Sequence, residues 1–132
     1  MDTCVWSLAL RRQSPADDPA VRELEELIDE LRVVMVGPVR QELLSGIRVP
    51  NQFKLLRARL RAFPDLSLIS ADYEQAAEFG NLCRSKGVQG SLVDFLLCSI
   101  AVRHRLAILT VDRDFAAYQD HLPIILHVPR QF

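Results

Sequence analysis

Four acidic residues stand where the chain turns from an apolar segment toward a helix, or just inside that helix: Asp2, Glu42, Asp94 and Asp112. Because the carboxyl ends of parallel strands share one edge of a sheet, acids from distant stretches of sequence can meet in the crevice there. Carboxylates packed that closely repel one another unless a cation neutralises them. The pattern therefore predicts a metal site, and a ligand set made of oxygens suits Mg²⁺ or Mn²⁺ better than Zn²⁺.

Each acid also has a simpler interpretation when it is taken alone. Asp94 lies three residues after a serine and could complete a capping box at the start of its helix. Asp112 and Asp114 could be turn and helix-start residues, which the positive end of a helix dipole favours. Glu42 could be an ordinary exposed helix acid, and Asp2 a solvated terminal residue. These interpretations stay open residue by residue, but none explains why the acids follow successive strands in order.

The composition is that of one globular domain, which we predict to span residues 1–132. The chain is 49% hydrophobic, enough for a single buried core, and no apolar run approaches the ~20 residues that cross a bilayer. Its three cysteines are odd in number and lack CxxC spacing, so neither a disulfide framework nor a zinc knuckle is expected. We therefore expect a cytosolic protein. The formal charge of −1 gives no general attraction to polyanions, so any nucleic-acid contact needs a local basic patch.

The elements that would position the acids alternate between apolar strands and amphipathic helices. Asp18 before Pro19 is typical of a helix start, and Ser91 opens a strongly apolar helix. Strands separated by helices indicate a parallel α/β sheet. The predicted helices cover residues 3–12, 19–31, 38–46, 52–63, 70–87 and 91–105, and a short loop and helix cover 112–118. The predicted strands cover 33–36, 66–69, 107–109 and 124–126.

Two helices carry charged faces. In the predicted helix 52–63, Lys54, Arg57 and Arg61 share one face, and a solvated helix with a core stripe is a slightly better interpretation than an RNA-binding edge. The predicted helix 19–31 carries an acidic face that should stay away from any polyanion. Its members are Glu23, Glu25, Glu26, Asp29 and Glu30.

Four segments, in order, carry a family resemblance. They are residues 1–6 (MDTCVW), 37–46 (GPVRQELLSG), 90–101 (GSLVDFLLCSIA) and 109–115 (LTVDRDF). Together they resemble the PIN-domain ribonucleases, specifically the VapC-type toxins of bacterial type II toxin–antitoxin pairs. The resemblance implies a PIN-like three-layer α/β/α sandwich with a central parallel sheet and an endoribonuclease that depends on Mg²⁺ or Mn²⁺. It also implies a homodimer and inhibition by a cognate VapB-type antitoxin.

The resemblance assigns roles to individual residues. The catalytic and metal-binding acids, in family order, are Asp2, Glu42, Asp94 and Asp112. Asp114 is an alternative to the last of these or holds an outer-shell water. Thr3 and Thr110 match hydroxyls that orient carboxylates or water. Cys4 stands where the family more often has Ser or Asn. Only Met1 precedes the first acid, where the family has three or four apolar residues, so either the natural start lies upstream or the central strand is a stub.

The expected reaction is hydrolysis of an RNA phosphodiester by water that one or two metal ions activate, with Glu42 as ligand or water-positioning base. By resemblance the products carry a 5′-phosphate and a 3′-hydroxyl. Two alternatives stay open: a free-standing PIN-like nuclease acting on DNA or RNA, and a catalytically idle PIN-like binding module. A phosphorylatable receiver domain is disfavoured, because it needs a lysine at a strand end and both Lys54 and Lys86 fall in predicted helices.

Overall fold

A parallel four-stranded sheet forms the centre of the protein. The computed structural model describes residues 3–7, 10 and 17–130. The strands are β1 (Cys4–Trp6), β2 (Val33–Val34), β3 (Ala107–Leu109) and β4 (Ile125–Leu126), in the spatial order β2-β1-β3-β4. The helices are α1 (Pro19–Asp29), α2 (Gly37–Leu44), α3 (Pro50–Leu60), α4 (Ser70–Ser85), α5 (Leu92–His104) and α6 (Asp114–Gln119). The predicted parallel α/β arrangement is confirmed.

Two predicted helix starts are confirmed by their caps. The Asp18 side chain accepts a hydrogen bond from the backbone N–H of Ala20 at 2.7 Å, and Pro19 occupies the first helical position of α1. At the start of α5, Ser91 Oγ accepts from the backbone N–H of Asp94 at 3.1 Å. Both contacts satisfy donors that the first turn of a helix leaves without an internal partner.

The core lies where α5 meets the sheet and where α4 packs on α5. Val5 and Ile108 are completely buried at paired positions of β1 and β3, and α5 contacts both strands. On α4, Gly80 permits close approach, since a Cβ there would lie 3.2 Å from the ring of Phe95. This packing fixes the start of α5, which carries Asp94, against the middle of the sheet.

Two predictions about elements are wrong. The segment predicted as a helix over residues 3–12 contains β1, which pairs with strands on both sides. A strand buried on both faces shows no polar alternation, so its apolar run resembles a helical one. The strand predicted over residues 66–69 is absent from the described residues. The chain there makes one isolated bridge between Met35 and Asp65, with the N–H of Leu66 donating to Met35 O at 2.9 Å.

The acidic face of α1 is also different from its prediction, because Glu23 is fully buried. Its carboxylate pairs with His127 Nε2 and with Arg130 Nε, the latter at 2.9 Å. Arg130 binds Glu30 as well, at 3.0 Å. Ion pairs therefore join the segment after β4 to α1. They offset the free-energy cost of burying the Glu23 carboxylate.

The strand order creates a crevice at one edge of the sheet. The chain leaves β1 toward β2 on one side, whereas it leaves β3 toward β4 on the other side. The carboxyl ends of β1 and β3 therefore form a topological switch point, where ligands of open α/β sheets bind. In the part of the chain that is described, no helix is both long enough and apolar enough to cross a membrane.

Candidate active site

A chain of hydrogen bonds crosses the switch point. Ser7 directly follows β1 and Thr110 directly follows β3, and their hydroxyl oxygens lie 2.8 Å apart. Thr110 Oγ1 accepts from the backbone N–H of Asp112 at 3.0 Å, and Asp112 Oδ1 accepts from the N–H of Asp114 at 2.9 Å. The loop that carries Asp112 is therefore fixed to the ends of the two central strands.

Tyr118 holds the second acid of the crevice. Its buried hydroxyl donates to Asp94 Oδ2 at 2.8 Å, which joins α6 to the first turn of α5. The rings of Phe95 and Phe115 pack on the tyrosine ring, with centroids 5.0 and 5.1 Å away. Gly90 leaves room for the hydroxyl, because a Cβ at that position would lie 2.2 Å from it. One oxygen of Asp94 is thus held by a rigid neutral donor.

The carboxylates of the crevice affect one another electrostatically. Burial raises the pKa of the Asp94 carboxyl, and the negative charge of Asp112 raises it further, while hydrogen bonds from Tyr118 and Ser91 oppose the rise. Burial also raises the pKa of Tyr118, as do its hydrogen bond to Asp94 and the charges of Asp94, Asp114 and Asp112. A cation bound here would relieve this repulsion.

The remaining predicted site residues are Asp2, Glu42 and Thr3. Asp2 lies outside the described residues. Glu42 is half-buried in the second turn of α2, the helix after β2. Thr3 precedes β1, and its carbonyl accepts from the N–H of Ala107, the first residue of β3, at 3.3 Å. Ser7 lies four steps of extended chain after Thr3, about 13 Å away. The structure therefore brings Ser7, and not Thr3, to Thr110.

The described residues fit a hard divalent cation as a partial ligand set. Among residues 3–7, 10 and 17–130, no three His, Cys, Asp or Glu residues form a group that could hold a metal. Asp94 and Asp112 nevertheless present two carboxylates to one crevice, and Mg²⁺ is often bound through one or two carboxylates with several waters. Thiolate chemistry is disfavoured, because burial first and the Asp94 charge second raise the pKa of the Cys98 thiol to about 12.

The family assignment follows from the match of a family model described as PIN domain to residues 1–120. The chain belongs to the PIN-domain family. The predicted family and the PIN-like three-layer α/β/α sandwich around a parallel sheet are confirmed.

Relatives of this PIN domain include two mycobacterial proteins. It is 29% identical over 119 residues to the protein named VapC ribonuclease Mb1587 of Mycobacterium bovis, and equally to Ribonuclease VapC11 of Mycobacterium tuberculosis. Each match covers 87% of both chains. The solved structure of FitAcB from Neisseria gonorrhoeae has the same fold, with a TM-score of 0.72 at 15% identity over 96% of this chain and 98% of that one.

Proposed function

We propose that this PIN domain is the toxin of a type II toxin–antitoxin pair and acts as an endoribonuclease that hydrolyses RNA phosphodiester bonds. The observation that supports the proposal is the hydrogen-bonding at the switch point: Tyr118 donates to Asp94, and Thr110 accepts from the backbone N–H of Asp112. The charges of both carboxylates raise the pKa of Tyr118. The similarity to proteins named VapC ribonucleases over most of the chain supports the same reaction.

The proposed cofactor is Mg²⁺ or Mn²⁺, with Asp94 and Asp112 as ligands and Asp2 and Glu42 completing the set. Asp114 is the alternative to Asp112, because it lies in the same hydrogen-bonded loop. When bound, the divalent ion supplies a Lewis acid that activates water and neutralises charge on the phosphate.

The protein's own groups position the reactants. Tyr118 donates to Asp94 Oδ2, and hydrogen bonds from Ser91 also hold this carboxylate in place. Ser7 and Thr110 hold the Asp112 loop at the strand ends. Glu42 serves as a ligand or as the base that accepts the proton of the attacking water. The side chains of the described crevice thus supply orientation, and no serine or cysteine nucleophile is needed.

Purified protein should be assayed on matched single-stranded RNA and DNA, with Mg²⁺, with Mn²⁺ and with EDTA. We expect cleavage of RNA only when a divalent ion is present, with 5′-phosphate and 3′-hydroxyl products. Cleavage that persists in EDTA would exclude the metal mechanism. Equal cleavage of DNA would favour a general PIN-like nuclease. An absence of cleavage on every substrate would favour an idle binding module.

The proposed partners are a cognate VapB-type antitoxin and a second copy of this chain. An antitoxin that places a basic side chain among the crevice carboxylates would compete with the metal ion, because clustered negative charge favours any cation there. A homodimer predicts a solution mass near twice the 15.0 kDa of one chain, which light scattering on the eluted protein would measure.

A further inference from the structure

Positive charge is concentrated in one segment of this nearly neutral chain. Residues 43–64 contain five basic residues and no Asp or Glu: Arg48, Lys54, Arg57, Arg59 and Arg61. The other 110 residues contain 11 basic and 17 acidic residues, a formal charge of −6. We call residues 48–61, which include α3, the basic arm. It is the kind of local patch that a chain with a net charge of −1 needs for nucleic-acid binding.

The cations of the basic arm face solvent. All five are exposed, and within the described residues none of them forms an ion pair with a carboxylate. Some arginines outside the arm do pair with acids, for example Arg40 with Asp65 at 2.9 Å and Arg130 with Glu23 at 2.9 Å. The core stripe expected for α3 is small, because Leu60 is the single fully buried residue of that helix. Packing therefore explains apolar positions of α3 such as Leu56 and Leu60, but not its cations.

The arm is fixed to the helix that carries Glu42. Arg40 of α2 donates to the carbonyl oxygen of Leu60 at 3.0 Å and to that of Phe63. These carbonyls lie at the C-terminal end of α3, where the helix dipole would repel a phosphate, and the guanidinium offsets that charge. The basic arm is therefore pre-organised beside α2, and binding would cost little ordering of the backbone.

We propose that the basic arm binds the sugar–phosphate backbone of single-stranded RNA and holds the substrate for the crevice. This inference rests on the proposed ribonuclease function and adds a substrate-binding surface to it. Arginine suits this role because its planar guanidinium forms paired hydrogen bonds with phosphate oxygens. Arg57 also lies over the ring of Phe53, 5.6 Å from its centroid, so an aromatic face and a cation stand together, as in surfaces that bind single strands.

The test measures RNA binding separately from cleavage. Asp94→Asn protein in EDTA, which should not cleave, is titrated into a fluorescein-labelled single-stranded RNA at several salt concentrations, and fluorescence anisotropy is recorded. The arm variant carries Arg57→Gln and Arg61→Gln in addition. The matched control carries Arg84→Gln and Lys86→Gln instead, which removes the same charge from exposed positions at the end of α4. Circular dichroism checks that all three proteins are folded.

We expect the arm variant to bind RNA about tenfold more weakly. The slope of log binding constant against log salt concentration should become shallower by about 1.4, which is about 0.7 for each of the two lost phosphate contacts. The control should stay within about twofold of its parent. Arg57→Lys with Arg61→Lys should retain most of the salt dependence, because it keeps the charge.

Equal affinities and salt slopes in the arm and control variants would overturn the inference. So would competition by polyglutamate as effective as competition by unlabelled RNA, which would make the arm a site for acidic protein segments. These outcomes are distinct from failure of the proposed function. If wild-type protein cleaves RNA but the arm variant binds like the control, the function stands and the inference fails. If the arm binds RNA but no metal supports cleavage, the inference stands and the ribonuclease proposal fails.

Discussion

At the residue scale, the acids of the crevice are held by two neutral side chains that the sequence did not reveal. Ser7 contacts Thr110 across 103 positions of sequence, and Tyr118 contacts Asp94 across 24. Hydroxyl groups are common, and their role depends on strand register and helix packing, neither of which local patterns determine. The one usable signal was Gly90, because a glycine just before a helix start indicates close approach of another group.

Tyr118→Phe should weaken the site while preserving the fold. The change removes the hydroxyl that orients Asp94 and keeps the ring that packs between Phe95 and Phe115. We expect about 1 kcal/mol lower stability, a several-fold weaker affinity for Mn²⁺ by calorimetry, and slower RNA cleavage. Tyr73→Phe, at an exposed tyrosine, is the control. Unchanged Mn²⁺ affinity would show that Tyr118 serves only packing.

Asp94→Asn should stabilise the metal-free protein. Burial first, and the Asp112 charge after it, raise the pKa of Asp94 in the folded state. Ionising this carboxyl therefore costs stability above the raised pKa, and costs nothing below about 3.8, its ordinary value, where it is protonated in both states. In EDTA at pH 7 we expect a melting temperature a few degrees above wild type, and no difference near pH 3. A clear drop at pH 7 would indicate a capping role instead.

At the element scale, helix starts and the strands β2, β3 and β4 were predictable, whereas β1 was not. The caps at Asp18 and Ser91 are local, so a few adjacent residues determine them. The sequence did not predict β1, because its three buried residues show no alternation of polar and apolar types. Its partner strand β3 also lies about a hundred residues later in the sequence. The buried Glu23 was missed for the same reason, since its partners Arg130 and His127 follow the last strand.

Glu23→Ala should strongly destabilise the contact between α1 and the segment after β4. Burial raises the pKa of Glu23, but hydrogen bonds and positive charge from His127 and Arg130 outweigh it, so the pKa is lowered. The stabilisation is therefore present above about pH 4.5, the ordinary value, and is lost as pH falls through the lower folded-state pKa. Urea unfolding at pH 7 should show a loss of about 3 kcal/mol.

The matched control for that experiment is Glu25→Ala, which removes an exposed acid from the same helix. It should change stability little at either pH, because exposed charges of this kind contribute little. The loss caused by Glu23→Ala should shrink when both proteins are measured near pH 3. A loss that is equal at both pH values would mean that packing, and not the ion pairs, stabilises this contact.

At the scale of the whole molecule, the sequence predicted the fold class and the family. Alternating strands and helices indicated the parallel sheet, and four ordered segments indicated a PIN domain. The side chains that meet at the switch point were not predictable from the sequence. The first motif suggested Asp2 and Thr3, whereas the hydroxyl that follows β1 and contacts Thr110 belongs to Ser7. A short strand can satisfy more than one register, and only the packed sheet selects among them.

An antitoxin should suppress this PIN domain by occupying its crevice. Co-expression with the product of the gene immediately upstream should yield a complex that copurifies and does not cleave RNA. Within that partner, replacing the arginine or lysine that enters the crevice by glutamine should restore cleavage before it abolishes association, since the cation acts on the carboxylates directly. If the upstream product neither binds nor inhibits, a free-standing nuclease becomes the better description.

The central claim is that the carboxylates at the switch point catalyse RNA hydrolysis, and the rate of RNA cleavage by Asp94→Asn in Mg²⁺ tests it most directly. The substitution removes a charge while an amide oxygen can still accept from Tyr118. Glu74→Gln, at an exposed acid on α4, is the matched control. We predict that Asp94→Asn lowers the rate at least about 100-fold, which corresponds to about 2.7 kcal/mol of activation free energy, while the control cleaves at the wild-type rate. A wild-type rate in Asp94→Asn, with the fold intact, would contradict the account.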